Sequence, residues 1–243
     1  MYNYDKVLEK IPTDHSNQVT IEEMVREVLC DQQQLQLVVD LGCGTGRYAD
    51  FFSKNYKRAK YIGVDIDGSP ESEQRTRSDF NFLSYDGIHL PFEDESIDVI
   101  FMNQVLEHVR QPHLLFPDIA RSLKPNGIFI GSVSQLEPYH SYSIFNYTFY
   151  GICSFSELFG LNVFKLRPGI DGITIINRHI NKFILNRNYE IEHLFFSHES
   201  PINYSIDLYY KEKKMNVRQI NLAKLKISGQ FCFAAKKCIS IDK

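Results

Sequence analysis

The chain has no run of about 18 apolar residues, so nothing in it reads as a membrane-spanning helix. Its first residues, MYNYDKVLEKIP, lack the apolar stretch behind a basic start that marks a signal peptide. With no address visible, the cytoplasm is the expected location, with at most a weak peripheral contact with a membrane. Cysteines are few and odd in number: Cys30, Cys43, Cys153, Cys232 and Cys238, with no CxxC pair. That count excludes a disulfide framework and a thiolate zinc site, and fits reduced thiols. Internal repeats and low-complexity tracts are also missing.

What is present suits a soluble globular chain. The 243 residues, 43% hydrophobic and 23% charged, are enough to bury a substantial core. The net charge of −3 hides an asymmetry. Residues 205–243 hold nine Lys/Arg against Asp207, Glu212 and Asp242, a balance of +6, which leaves −9 for the rest. Such a segment is either a solvated basic face or a surface for a phosphate-bearing or anionic partner.

Apolar spacing sets out the elements. TIEEMVREVL (20–29) has the periodicity of one helix face, with Thr20 and Glu23 as a capping box. LQLVVDL, KYIGVDI, NFLSYD, SIDVIFMN and GIFIGSV read as five strands, with helices at GRYADFFSKNY and QPHLLFPDIARSLKP. The stretch DGSPESEQRTRSD is polar and broken by Gly68 and Pro70, so any helix there should be short or deformed. Downstream, SYSIFNYTFYGICSFSELFG is helical in its second half and ends at Gly160, LNVFKLRP is a sixth strand, and KISGQFCFAAKK closes as a seventh. Residues 169–226 between the last two strands are long enough to be an insertion with its own helices. Strand–helix alternation predicts an α/β fold, with parallel βαβ units wound right-handed.

The most informative stretch is VVDLGCGTG, Val38–Gly46. It follows the first strand, where α/β sheets bind ligands. A dinucleotide fingerprint needs a third glycine at position 47, which is Arg47, and a phosphate-cradling loop needs a Lys that is absent. Asp40 beside the loop would repel a pyrophosphate. Asp65 ends the second strand, 19 residues after Gly46, where an acid can accept from both hydroxyls of an unphosphorylated ribose. Asp86-Gly87 after the third strand adds an acceptor for an exocyclic amine. Cys43 inside the loop reads as a small residue filling a gap, since no activating partner is near it in sequence.

These residues resemble the class I S-adenosylmethionine-dependent methyltransferases. VVDLGCGTG looks like their first motif and YIGVDI like the strand with the ribose acid. YDGIHLPFEDESIDVIFMNQVLEHV, with its LPF and LEHV signatures, resembles the branch with small-molecule acceptors, and RSLKPNGIFIGSV resembles the next helix and strand. The likeness covers residues 36–134. It implies a Rossmann-like, doubly wound, mostly parallel seven-stranded sheet, with an N-terminal helix and a C-terminal insertion forming a lid. One domain, 1–243, is expected: a helical cap (1–34), a cofactor-binding core (35–134), an acceptor and lid region (135–226) and a final strand with tail (227–243).

Carried onto these positions, the resemblance implies S-adenosyl-L-methionine on Gly42, Cys43, Gly44 and Gly46, with Asp40 supporting the loop or meeting the amino group. Asp65 would hold the ribose. Ile66 and Ile88 would sandwich the adenine, with Asp86 and Gly87 at its amine, although core packing explains the isoleucines equally. Asn103 and Gln104 would lie near the methionine part.

For a hydroxyl acceptor a histidine base is natural near neutral pH. His108, in LEHV, and His140, after the fifth strand, are the two candidates; orienting a loop or lying on the surface are their alternatives. Tyr139, Tyr142 and Tyr147 are the candidate acceptor contacts, amphipathic side chains suited to a mixed pocket.

No N-P-P-[YFW] follows the fourth strand, which reads FMNQ, and no Pro-Cys nucleophile occurs, so no nucleic-acid partner is expected. No acid cluster is visible at the positions of a catechol-type site, so no metal is expected. The expected function is O-methylation of a sugar, glycan or related hydroxyl-bearing small molecule. The alternatives are N-methylation of an amino-bearing metabolite, an isoprenoid or lipid-type acceptor, and a non-catalytic cofactor-binding protein.

Overall fold

The computed structural model describes residues 4–31 and 34–238. In chain order the first elements are α1 (Tyr4–Leu8), α2 (Ile21–Val28), β1 (Leu37–Leu41), α3 (Ala49–Asn55), β2 (Lys60–Ile66), α4 (Pro70–Glu73), β3 (Asn81–Tyr85) and β4 (Ile97–Asn103). They are followed by α5 (Pro112–Ser122), β5 (Leu123–Ser134), α6 (Phe149–Leu158), β6 (Leu161–Pro168), α7 (Gly172–His179), α8 (Pro201–Glu212), α9 (Val217–Ile227) and β7 (Gln230–Lys237).

All seven strands join one sheet in the order β3-β2-β1-β4-β5-β7-β6. β1 to β5 run parallel, and β7 is antiparallel to both β5 and β6. Alternate residues of each strand point to opposite faces, so the sheet feeds two cores. One holds Val38, Phe101 and Ile130 against Met24 and Val25 of α2 and Phe52 of α3. The other holds Val39, Leu41 and Phe129 against Phe116 and Ile119 of α5 and Ile152 of α6. This is the doubly wound, mostly parallel α/β architecture that the methyltransferase resemblance implies.

Local signals account for most boundaries. Thr20 Oγ1 accepts from the Glu23 N–H at 3.2 Å while the Glu23 carboxylate accepts from the Thr20 N–H at 2.7 Å, closing the capping box of α2. The polar, proline-led crossover after β2 gives only the four residues of α4. Strand β5 begins ahead of GIFIGSV, at Leu123, inside the stretch read as the end of the preceding helix. Leu123 already pairs with Ile97, and the register shifts before Val99 pairs with Ile128. Asn126, at φ +64°, absorbs the irregularity inside the strand.

The insertion after β6 is tied to the N-terminal segment. Asn203 Nδ2 donates to Gln18 Oε1 at 2.7 Å, and Asn221 Nδ2 donates to the carbonyls of Pro12 and His15 at 3.0 and 2.9 Å. Lys224 is fully buried, donating to the Ser16 carbonyl and pairing with Asp207 at 3.0 Å. One of the nine basic residues of the C-terminal segment is therefore an internal strut and not part of a solvated face. No helix among the described residues is long and apolar enough to cross a membrane.

Candidate functional site

The glycine loop leaves β1 at the carboxyl edge of the sheet, beside β2 and β4. Gly42, Gly44 and Gly46 all have positive φ, at +79°, +51° and +83°. A Cβ on Gly42 would lie 2.4 Å from Val105, and one on Gly46 would lie 2.2 Å from the Phe80 ring, so both packing and backbone demand glycine. The N–H groups of Gly42 and Cys43 donate to the Val64 carbonyl at 2.7 and 3.1 Å, fastening the loop to β2. Burial pushes the Cys43 thiol up to about 12, which suits a gap-filling thiol and not a nucleophile.

Asp40 lies beneath this loop, sealed from water. Its carboxylate accepts from the Tyr61 hydroxyl at 2.6 Å. Burial pushes the Asp40 carboxyl up to about 7 against the opposing effect of that hydrogen bond. Asp40 thus ties β1 to Tyr61 of β2.

Asp65, at the end of β2, faces the loop. Its Oδ2 accepts from the Gly44 N–H at 2.6 Å and its Oδ1 from the Ile66 N–H at 2.8 Å. Burial raises its pKa while these two amides oppose the shift. Ile66 is 41% exposed beside Gly87, whose missing Cβ would sit 3.6 Å from the Ile66 methyl. Ile88 is half-buried next to it. Asp86 uses both oxygens in its own loop. Oδ1 accepts from the N–H groups of Ile88 and His89 at 2.8 and 2.6 Å, and Oδ2 pairs with His89 Nδ1 at 2.7 Å. The His89 ring and these amides hold the Asp86 carboxyl down at about 2.

Sequence reasoning missed the cover that α4 makes over the loop. Arg75 Nη1 donates to the Gly44 carbonyl at 3.0 Å, and its guanidinium stacks 3.3 Å from the Phe82 ring centre. A Cβ on Gly44 would lie 3.1 Å from Glu71. A polar run without periodicity carries no signal for such contacts.

A second group forms past β4 and β5. Asn103 Oδ1 accepts from the Ser132 hydroxyl at 2.6 Å, and Gln104, at φ +53°, donates its N–H to the Ser132 carbonyl at 3.1 Å. Glu107 is fully buried, and burial pushes its carboxyl up to about 7. Its Oε1 lies 3.1 Å from the Ser134 hydroxyl, whose single proton goes to Glu137 at 2.7 Å. Turned with its nitrogen towards Glu107, the Gln104 amide donates to the same Oε1 at 2.9 Å. The rings of His108 and His140 meet edge-to-face with centres 5.5 Å apart. Burial, with His140 nearby, lowers the pKa of His108 and keeps its ring neutral.

The tyrosines divide. Tyr139 and Tyr142 are 69% and 76% exposed on the loop that carries His140, and Tyr142 has φ +64°. Tyr147 packs against the core, with its hydroxyl donating to the Leu106 carbonyl at 3.3 Å. A surface hollow lined by Leu29, Leu35 and Tyr56 lies at the amino ends of β1 and β2, the opposite edge from the ligand side of such sheets.

Comparisons with known proteins agree with this geometry. Residues 39–131, from β1 into β5, match the family model described as a methyltransferase domain. Over 99 residues the chain is 32% identical to an uncharacterised methyltransferase of Mycolicibacterium gilvum, spanning 38% of this chain and 37% of that protein. It is 31% identical over 102 residues to a malonyl-[acyl-carrier protein] O-methyltransferase of Xylella fastidiosa, spanning 40% and 35%. A solved S-adenosylmethionine-dependent methyltransferase from Archaeoglobus fulgidus superimposes with a TM-score of 0.57 at 16% identity, covering 89% of this chain and 93% of that one. The fold is thus the Rossmann-like α/β fold of the S-adenosylmethionine-dependent methyltransferases. The methyltransferase-domain match lies on the five parallel strands, β1 to β5, with the glycine loop, and the chain spans little more than a third of these curated relatives' length.

Proposed function

We propose that the chain binds S-adenosylmethionine over the glycine loop and methylates a hydroxyl of a small molecule, a sugar, glycan or related metabolite. One observation carries the cofactor reading: the Asp65 carboxylate meets the Gly44 N–H at 2.6 Å at the carboxyl edge of the sheet. A carboxylate accepts about four hydrogen bonds, and the two amides leave room for both ribose hydroxyls. The exposed Ile66 face, kept open by Gly87, suits a flat apolar ring, with Asp86 at its rim. Asn103 and Gln104 lie at the end of β4, where the methionine part would run.

When bound, the cofactor supplies a sulfonium methyl group, and the acceptor oxygen bonds to that carbon as the carbon–sulfur bond breaks with its electrons left on sulfur. The chain's own contribution is alignment, which can supply several kcal/mol. His108 and His140 stand beyond β4 and β5, on the side of the sheet edge where the acceptor would lie. Residues 135–226 supply the acceptor side, with Tyr139 and Tyr142 at its mouth.

The Xylella relative, named as an O-methyltransferase, is in keeping with an oxygen acceptor. A second reading, an isoprenoid or lipid-like alcohol, is favoured by Leu136, Ile144 and Phe145, which expose apolar surface on the same loop. Calorimetric titration with S-adenosylmethionine tests the cofactor reading. Asp65→Ala is expected to weaken binding roughly tenfold or more, the loss of charge-assisted hydrogen bonds. Equal affinity in the variant, with the thermal unfolding of both proteins as a control, overturns it. Transfer assays on sugar nucleotides and on isoprenoid alcohols then separate the two acceptors.

A further inference from the structure

Three side chains at the acceptor end of the sheet offer metal-ligand atoms to one another. Atoms of Glu107, His108 and His140 all lie within 4.8 Å of one another, although His140 is 32 positions beyond His108 in the chain. Two polar atoms of these side chains are buried without any hydrogen-bond partner among the described residues: Glu107 Oε2 and His108 Nδ1. Native interiors seldom leave such groups unpaired, so each calls for a ligand of its own.

The third donor is prepared from behind. His140 Nδ1 lies 3.1 Å from the Pro138 carbonyl, which fixes the N–H there and leaves Nε2 as a lone pair. Glu137, which accepts from Ser134 at 2.7 Å and from Gln230 at 2.8 Å, stands 3.9 Å from His140 as an outer carboxylate. Ligand histidines are commonly oriented in this way by carbonyls and carboxylates.

Distances agree with a shared ion. Two imidazoles on one tetrahedral ion, with bonds of about 2.0–2.1 Å, have ring centres roughly 5 Å apart. The observed separation is 5.5 Å. Two nitrogens and one carboxylate oxygen select a first-row divalent ion of the zinc type, whereas Mg²⁺ prefers oxygen ligands throughout. Three protein ligands leave a position open.

We propose that Glu107, His108 and His140 hold a zinc-type divalent ion whose open position receives an oxygen of the methyl acceptor. The ion's role rests on the methyl-transfer reading above; the ion's binding does not. A nitrogen that ligates the ion cannot also take a proton, so both histidines act as ligands and not as general bases. The acceptor hydroxyl, acidified by coordination, releases its proton to solvent, and its oxygen bonds to the methyl carbon as the carbon–sulfur bond breaks with its electrons left on sulfur. In a second such cluster, Asp14, His15 and Glu27, both carboxylates are already paired with Arg167, which bonds Asp14 at 2.6 Å and Glu27 at 2.9 Å.

The test is metal binding by the full chain, stripped with a chelator and titrated with Zn²⁺ in excess Mg²⁺. One ion per chain is expected, with a visible ligand-field spectrum when Co²⁺ replaces it. His140→Ala, on a surface loop, should weaken binding about tenfold or more and change the Co²⁺ spectrum, as should Glu107→Gln. No saturable Zn²⁺ binding, or binding unchanged in both variants, overturns the proposal. S-adenosylmethionine titrated into the stripped protein is the separate control: its binding there keeps the cofactor reading whatever the metal result.

Discussion

Asp40 accepts a 2.6 Å hydrogen bond from the Tyr61 hydroxyl beneath the glycine loop, joining β1 to β2 from inside the core. The pair gives the fold a pH dependence with a definite sign. The folded Asp40 carboxyl is raised to about 7 from an ordinary 3.8, so the native state keeps a proton that the unfolded chain gives up. Its contribution to stability is complete below about pH 4 and is lost as pH rises through about 7, on the order of 4 kcal/mol at most.

Asp40→Asn is therefore expected to flatten the change in urea midpoint between about pH 5 and about pH 8. Tyr61→Phe removes the hydrogen bond that favours the ionised form, and should move the loss of stability to higher pH. A midpoint whose pH dependence is the same in wild type and Asp40→Asn would count against the assignment.

Two glycines with nearly equal φ should respond differently to alanine. Gly68→Ala, at φ +75° with open space around it, carries only the left-handed strain of about 1–2 kcal/mol. Gly46→Ala, at φ +83°, adds a contact at 2.2 Å with the Phe80 ring, for a further 1–3 kcal/mol or so. Chemical denaturation of the two variants measures the difference; equal losses would mean that Phe80 moves aside freely.

The tyrosines separate structure from acceptor contact. Tyr147→Phe deletes a hydroxyl bonded to the Leu106 carbonyl and should lower stability by about 1 kcal/mol. Tyr142→Ala removes a side chain that is 76% exposed, so stability should change by less than about 0.5 kcal/mol while the acceptor KM rises. Thermal melts and initial rates on the two variants decide between these roles.

Much of the fold is legible in the sequence because its signals are local. The seven strands follow from apolar runs, α2 from the Thr20–Glu23 box, and the stunted α4 from Gly68 and Pro70. The glycine loop with Asp65 is legible for the same reason, since spacing alone sets a loop and a strand end side by side. The rest is missed where burial overrides residue type. Glu107, Arg167 and Lys224 are charged residues that default to the surface, yet all three are fully buried. The encounter of His108 with His140 is set by β4 and β5 ending at one edge, a fact of sheet order that no local spacing encodes. Leu123 joins its strand early because Ile97 is there to pair with it, which overrides the turn residues that follow.

The place of β7 has a consequence for biosynthesis. β6 is an edge strand whose only neighbour among the described residues is β7, and β7 is made some 60 residues later. During translation β6 must wait beside an unfinished sheet until residue 237 has left the ribosome. A chain halted before β7 would lack that strand, leaving β6 without its partner and the flank of β5 uncovered as a sticky edge.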